Sequence, residues 1–107
     1  MSGSRYNQGK ERLSLILEAD KALKGLALVL EHGASKYGRG DWKKGLKWTE
    51  VMDSLTRHAT QFMAGKNNDP DDKLPHIDHI LANALFLSQY YHTRTGTDDR
   101  VIYLDDV

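Results

Sequence analysis

The sequence predicts an all-α protein, a small bundle of three main helices with a polar arm before it and a short strap after it. Three observations carry that expectation. Apolar residues recur three and four positions apart in separate stretches, which is how a helix presents one buried stripe. Helix start signals, Asp20, Thr49 and Pro75, stand at or near the front of those stretches. Two turn-rich loops, GRGDWKKG at 38–45 and GKNNDPDDK at 65–73, divide them.

The 107 residues suit one small domain over 1–107, with residues 1–12 as an arm and 93–107 as a tail. A domain of this size buries a modest share of its surface and is often completed by a partner subunit. A membrane-spanning helix needs about 20 mostly apolar residues in a row, and the chain has no such run. Fifteen basic and fifteen acidic residues cancel, which argues against a broad nucleic-acid-binding surface, since that needs a positive face. A local basic patch at Lys36, Arg39, Lys43, Lys44 and Lys47 is the exception. The N-terminus lacks the apolar core of a signal peptide, and there is no cysteine. Both features fit a reducing cytoplasm.

The arm, residues 1–12, carries Arg5, Lys10 and Arg12 and is either solvated or turned toward phosphate. Residues 13–36 read as helical, with Leu23, Leu26, Ala27 and Leu30 on one stripe. Asp20 is placed to cap the main helix and to divide a short first turn, LSLILE, from it. Glu31 falls near the end of this helix, and Gly33 is a C-cap or a close-packing point. Residues 38–48 form a Gly-punctuated loop whose tryptophans either plug a core edge or stack on a planar ligand.

Residues 49–64 form the second helix, with Thr49 as N-cap and Glu50 favoured by the helix dipole. Met52, Leu55, Ala59, Phe62 and Met63 make its core face. Glu50, Asp53, Ser54, Arg57 and Gln61 lie on the other side, with His58 beside them. Glu50 and Asp53 are three apart and emerge together, and Asp53 and Arg57 are four apart and can pair. This is either an ordinary solvated face or a ligand-binding one.

Gly65 ends that helix, and the loop 65–74 brings Asp69, Asp71 and Asp72, which face either water or the helices. It is not an EF-hand loop, because the required spacing and closing Glu are absent. Residues 75–92 form the third helix, opened by Pro75. Ile77, Ile80, Leu81, Ala84, Leu85, Leu87 and Tyr91 give an apolar surface wider than one helix partner needs. That width predicts burial on two sides, in a homo-oligomer, dimer or tetramer. His76, His79 and Asn83, spaced three and four, share one face. A His-x-x-His pair contributes to a transition-metal site only when other ligands join it; otherwise the pair bonds backbone or the acidic loop. Residues 93–107 begin polar, and Val101 to Leu104 form a short strand or an apolar strap.

The ordered set of segments RYNQGK at 5–10, LEHGASKYGRGDWKKG at 30–45, DSLTRH at 53–58 and GKNNDPDDKLPHIDHILANALFLS at 65–88, followed by Asp98-Asp99-Arg100, resembles the N-terminal domain of phage and bacterial dATP/dGTP diphosphohydrolases. That group is usually placed with the MazG-like all-α nucleotide pyrophosphohydrolases. The resemblance implies hydrolysis of a purine (d)NTP to the monophosphate and pyrophosphate with Mg²⁺ or Mn²⁺. It implies Glu31, Glu50, Asp53 and Asp69 as metal ligands, with Glu50, Asp53, Arg57 and His58 catalytic. Lys36, Arg57 and Lys10 would meet phosphate charge, and Tyr37 or Trp42 would stack on the base. His76, His79 and Asn83 would orient ligands or hold the loop, with His76 or His79 as direct metal ligands in one version.

The chain departs from that family in two places. Lys66 stands where the family has Glu after Gly65, and Asp71-Asp72-Lys73 stands where it has Glu-Ser-Gly. The first helix also lacks the Glu-x-x-Glu of the MazG group. An enzyme is therefore the first expectation, and a non-catalytic nucleotide-binding protein on the same scaffold is the second.

Overall fold

A computed structural model describes residues 9–101. It contains three α-helices, α1 (Asp20–Tyr37), α2 (Trp48–Met63) and α3 (His76–Thr93), with 3-10 segments at Leu13–Ala19 and Asp41–Lys44. There is no strand among the described residues, only isolated bridges at Lys47–Thr97 and Asn68–Pro75. The all-α expectation holds. Helix α3 is the centre: it packs along α2, less extensively against α1, and touches the 3-10 turn between them.

The buried apolar residues are Val29, Val51, Ala82 and Tyr90. Burying a side chain the size of Val removes apolar surface worth about 1.5–3 kcal/mol from water. Trp42 plugs the core edge: its ring stacks on Phe86 with centroids 4.7 Å apart. The Tyr90 hydroxyl donates to the Trp42 carbonyl, which fixes the Gly-punctuated loop against α3.

Several local expectations are corrected. Asp20 is the first residue of α1, and Ala19 occupies the cap without a side-chain bond. Helix α1 runs through Gly33 and ends at Gly38, whose positive φ of 96° needs glycine. Thr49 does not cap α2 itself, because the helix already begins at Trp48. Instead Asp99 supplies the cap from a distant segment, accepting the Thr49 N–H at 3.0 Å and its hydroxyl at 2.6 Å. Residues 95–99 thus lie across the start of α2: the Trp48 indole N–H donates to Thr95 O at 2.9 Å, and a Cβ at Gly96 would collide with Leu46 O. Val101 is exposed, and the rest of the expected strap, 102–104, lies outside the described residues.

The expected core face of α2 is turned. Val51 is buried, Leu55 and Ala59 are half-buried, and Met52, Phe62 and Met63 are exposed. On α3, Tyr90 is buried where Tyr91 was expected, and Ile77 and Leu81 keep one edge of the helix open. The physical reason is the same in both cases. Each helix has more apolar surface than one chain covers, so periodicity marks candidates without saying which are covered.

Gly65 does end α2. It has φ 86°, its N–H bonds Phe62 O, and the Lys66 N–H bonds Gln61 O. These are the paired bonds of a Schellman cap, and they aim the chain into the acidic loop.

Candidate functional site

The loop between α2 and α3 is held by its own backbone. Asn67 O accepts the His76 N–H at 2.8 Å, Leu74 O accepts the Asp69 N–H at 2.8 Å, and Asp69 O accepts the Lys73 N–H at 2.9 Å. Side chains finish the turn: Asp69 Oδ1 accepts from the Asp71 N–H and Asp72 Oδ1 from the Leu74 N–H. These are the local bonds that make Asp and Asn favourable in turns. They leave the second carboxylate oxygens of Asp69 and Asp72 facing two histidines.

Those histidines come from the two flanking helices. Ser54 and His58 are four apart on α2, and His79 and Asn83 are four apart on α3, so each pair shares a face. The Asn83 side-chain amide donates to His79 O at 2.9 Å and to Ser54 Oγ at 3.3 Å, tying the helices together. The rings of His58 and His79 stack with centroids 4.3 Å apart. Asp69 Oδ2 lies 3.9 Å from His58 Nδ1, and Asp72 Oδ2 lies 2.8 Å from His79 Nε2. His76, almost wholly buried, sets its Nδ1 2.8 Å from His58 Nδ1, so one of the two nitrogens carries the shared proton.

Burial, with His79 and His76 next to it, pushes His58 below its ordinary value, against the pull of Asp69 and Asp72. Burial works to raise Asp69, but the N–H groups of Asp71 and Asp72, with His58 and His79, outweigh it and hold the carboxyl below the usual range. A neutral imidazole beside an ionised carboxylate is the protonation pattern a metal site needs. Among the described residues, His58, Asp69 and His79 are the group whose ligand atoms all lie within 4.8 Å of one another. The Asp72 approach to His79 Nε2 is close but out of line for a hydrogen bond, so Nε2 is a buried polar atom without such a partner. The donor set fits a divalent metal.

The cluster lies in the wall of an open cleft of about 1170 Å³, bounded on the other side by the end of α1 and the loop after it. This is somewhat larger than most small-molecule sites, which run roughly 300–1,000 Å³. Glu31, Lys36, Tyr37, Arg39, Trp42 and Lys43 line it together with His58, Asp69, Asp71, Asp72 and His79. Cations and aromatic rings therefore face a carboxylate–imidazole cluster across one space.

Of the residues singled out in the sequence, Glu31, Lys36, Tyr37, Trp42, His58, Asp69 and His79 share this cleft. His76 and Asn83 stand behind it as supports. Glu50, Asp53 and Arg57 are exposed and do not line the cleft, and no Asp53–Arg57 ion pair forms among the described residues. The four carboxylates Glu31, Glu50, Asp53 and Asp69 are not gathered at one point within a single chain. Lys10 is exposed and away from the cleft. Asp72, Arg39 and Ser54 belong to the site but were not among the chosen residues. The signals for two of them were present: Asp72 stands two before Leu74, as a turn-forming Asp does, and Ser54 stands one helical turn before His58.

A family described as dATP/dGTP diphosphohydrolase, N-terminal, matches residues 1–100. A protein named dATP/dGTP diphosphohydrolase from Salmonella phage PMBT28 is 33% identical over 100 residues, which cover 94% of this chain and 33% of that protein. The chain thus spans about a third of the length of that curated relative. No solved structure matches the chain.

Proposed function

Because the chain belongs to the dATP/dGTP diphosphohydrolase N-terminal family, we propose that it hydrolyses a purine deoxynucleoside triphosphate, dATP or dGTP, to the monophosphate and pyrophosphate with a divalent metal, Mg²⁺ or Mn²⁺. The observation that carries this reading is the cleft itself, where a carboxylate–imidazole cluster and cationic side chains line one space. Lys36, Arg39 and Lys43 meet the triphosphate charge. Tyr37, largely exposed at the rim, offers a face to the base, whereas Trp42 already has one face on Phe86.

Water attacks the α-phosphorus, the α–β bridging P–O bond breaks, and the bridging oxygen leaves with pyrophosphate. Glu31 lines the cleft without an internal hydrogen bond or ion pair among the described residues, and it takes the proton that the water loses. A bound divalent metal would neutralise phosphate charge and acidify the water. His58, Asp69 and His79 would hold it. The test is chromatography of nucleotide products: dNMP and pyrophosphate from dGTP or dATP are expected. Recovery of intact substrate from every nucleotide with both metals contradicts it.

The non-catalytic reading has one observation in its favour: Glu50 and Asp53 stand apart from the cleft, so the expected carboxylate set is incomplete in one chain. A nucleotide that binds and is recovered intact after denaturation would support it. A homo-oligomer is proposed on the exposed Leu13, Ile16, Leu17, Leu28 and Met63, which a partner subunit would cover. No helix among the described residues is long and apolar enough to cross a membrane. The proposed setting is the cytoplasm of a bacterial host, with a nucleotide as the partner and no role for nucleic acid.

A further inference from the structure

We infer that His58, Asp69 and His79 form a resident site for one transition-metal dication of the Mn²⁺, Co²⁺ or Zn²⁺ type, with Asp72 and His76 as positioning residues, and that it discriminates against Mg²⁺. As the metal of the proposed hydrolase it rests on that reading and narrows its metal from Mg²⁺ or Mn²⁺ to the transition ion; as a binding site it does not require turnover.

Mg²⁺ prefers oxygen donors and sheds water reluctantly, whereas imidazole suits Mn²⁺, Co²⁺ and Zn²⁺ increasingly well. Two of the three donors are imidazoles, and they converge with one carboxylate within 4.8 Å. Three protein ligands with a position left open is the composition of a working rather than a purely structural metal site. The cleft supplies that open side.

The surroundings match what metal-bound histidines need. A ligating imidazole usually gives its other ring nitrogen to a neighbour, which fixes tautomer and orientation. His58 has such a neighbour in the buried His76, Nδ1 to Nδ1 at 2.8 Å. For His79 the candidate is Asp72, whose Oδ2 lies 2.8 Å from Nε2 and would take that role only once the ring turns. That contact is too poorly directed to be a hydrogen bond, and it leaves a buried nitrogen unsatisfied. The His76 Nε2 is likewise buried without a partner. A polar atom buried without a partner destabilises the fold, so this cluster is not arranged for the stability of the metal-free chain. The two stacked rings stand 6° from parallel, so holding one ion between them takes a turn of one imidazole about its Cβ–Cγ bond.

The test uses the whole chain, stripped with a chelator and titrated with Co²⁺. The expected result is one Co²⁺ per chain, with visible d–d absorption, that a hundredfold excess of Mg²⁺ does not displace. Co²⁺, Mn²⁺ and Zn²⁺ should each raise the melting temperature, because an ion bound only by the folded state stabilises it. Asp69→Asn and His79→Ala should each abolish the band, and Asp72→Asn should weaken affinity by about 10–100-fold. Circular dichroism reports whether each variant is folded. His58→Gln is a second ligand variant should His79→Ala fail to fold. Absence of a band and of any melting shift overturns the site, as does equal affinity in the folded variants or displacement by equimolar Mg²⁺. Pyrophosphate release without Co²⁺ binding overturns this site and leaves the hydrolase standing; Co²⁺ binding without release does the reverse.

Discussion

His58 and His79 stack face to face, 4.3 Å between centroids and 6° from parallel, although 20 residues and an acidic loop separate them. Two imidazolium rings at that distance would repel, and burial with the neighbouring histidines holds His58 below its ordinary value. The loop makes the pairing possible. It returns the chain from the end of α2 to the start of α3 with its Asp69 and Asp72 oxygens against the same two rings.

The cationic wall of the cleft should act on substrate binding. Lys36→Ala removes one charged donor to phosphate, an interaction worth roughly 1.5–3 kcal/mol. Steady-state kinetics with dGTP should show KM rising about tenfold or more with an unchanged melting temperature. An unchanged KM would place the triphosphate elsewhere.

Tyr90 and Tyr91 should behave oppositely. Tyr90→Phe deletes the bond to Trp42 O and should cost about 1 kcal/mol in urea unfolding. Tyr91→Phe alters an exposed side chain and should stay within about 0.5 kcal/mol of the parent. Equal costs would mean that the loop is not anchored through Tyr90.

Two glycines form a second pair. Gly65→Ala places a Cβ in left-handed backbone, with no steric neighbour within 4 Å, and should cost about 1–2 kcal/mol. Gly33 lies inside α1 with nothing within 4 Å of a Cβ, so Gly33→Ala should gain up to about 1 kcal/mol. Thermal melts distinguish these outcomes. Destabilisation by Gly33→Ala would count against an unbroken α1.

Asp99 links folding to acid. Its hydrogen bonds from Thr49 hold its carboxyl below the usual range. A carboxyl depressed in the folded state contributes stability that is present above the unfolded carboxylate value, about 3.9. That stability is lost as pH falls through the folded value. Asp99→Asn should therefore lower the melting temperature at neutral pH and flatten its fall on the acid side. A parallel offset at all pH values would show that the Asp99 charge is not involved.

The three helices and their order were legible because periodicity and Gly65 speak locally. The caps were less so: Asp99 reaches α2 across 50 residues, and no spacing rule marks it. The same limit applies to the site. His58, Asp69 and His79 each stood out by residue type, but their meeting depends on how the loop at 66–75 folds back. Asp53 and Arg57 looked equally suitable in the sequence. They sit one position before Ser54 and His58, about 100° round the helix, and that rotation takes them off the cleft. Periodicity shows that two residues share a face, and only packing shows what the face meets.

The most direct measurement is pyrophosphate release from dGTP in the presence of Mn²⁺, compared between the parent chain and folded Asp69→Asn and His79→Ala variants. The parent should release pyrophosphate, with a fall of about 100-fold or more in each variant, as loss of a group holding the metal should cause. Parent-like rates in both variants would contradict it, because the chemistry would then lie outside the cleft between α2, the acidic loop and α3.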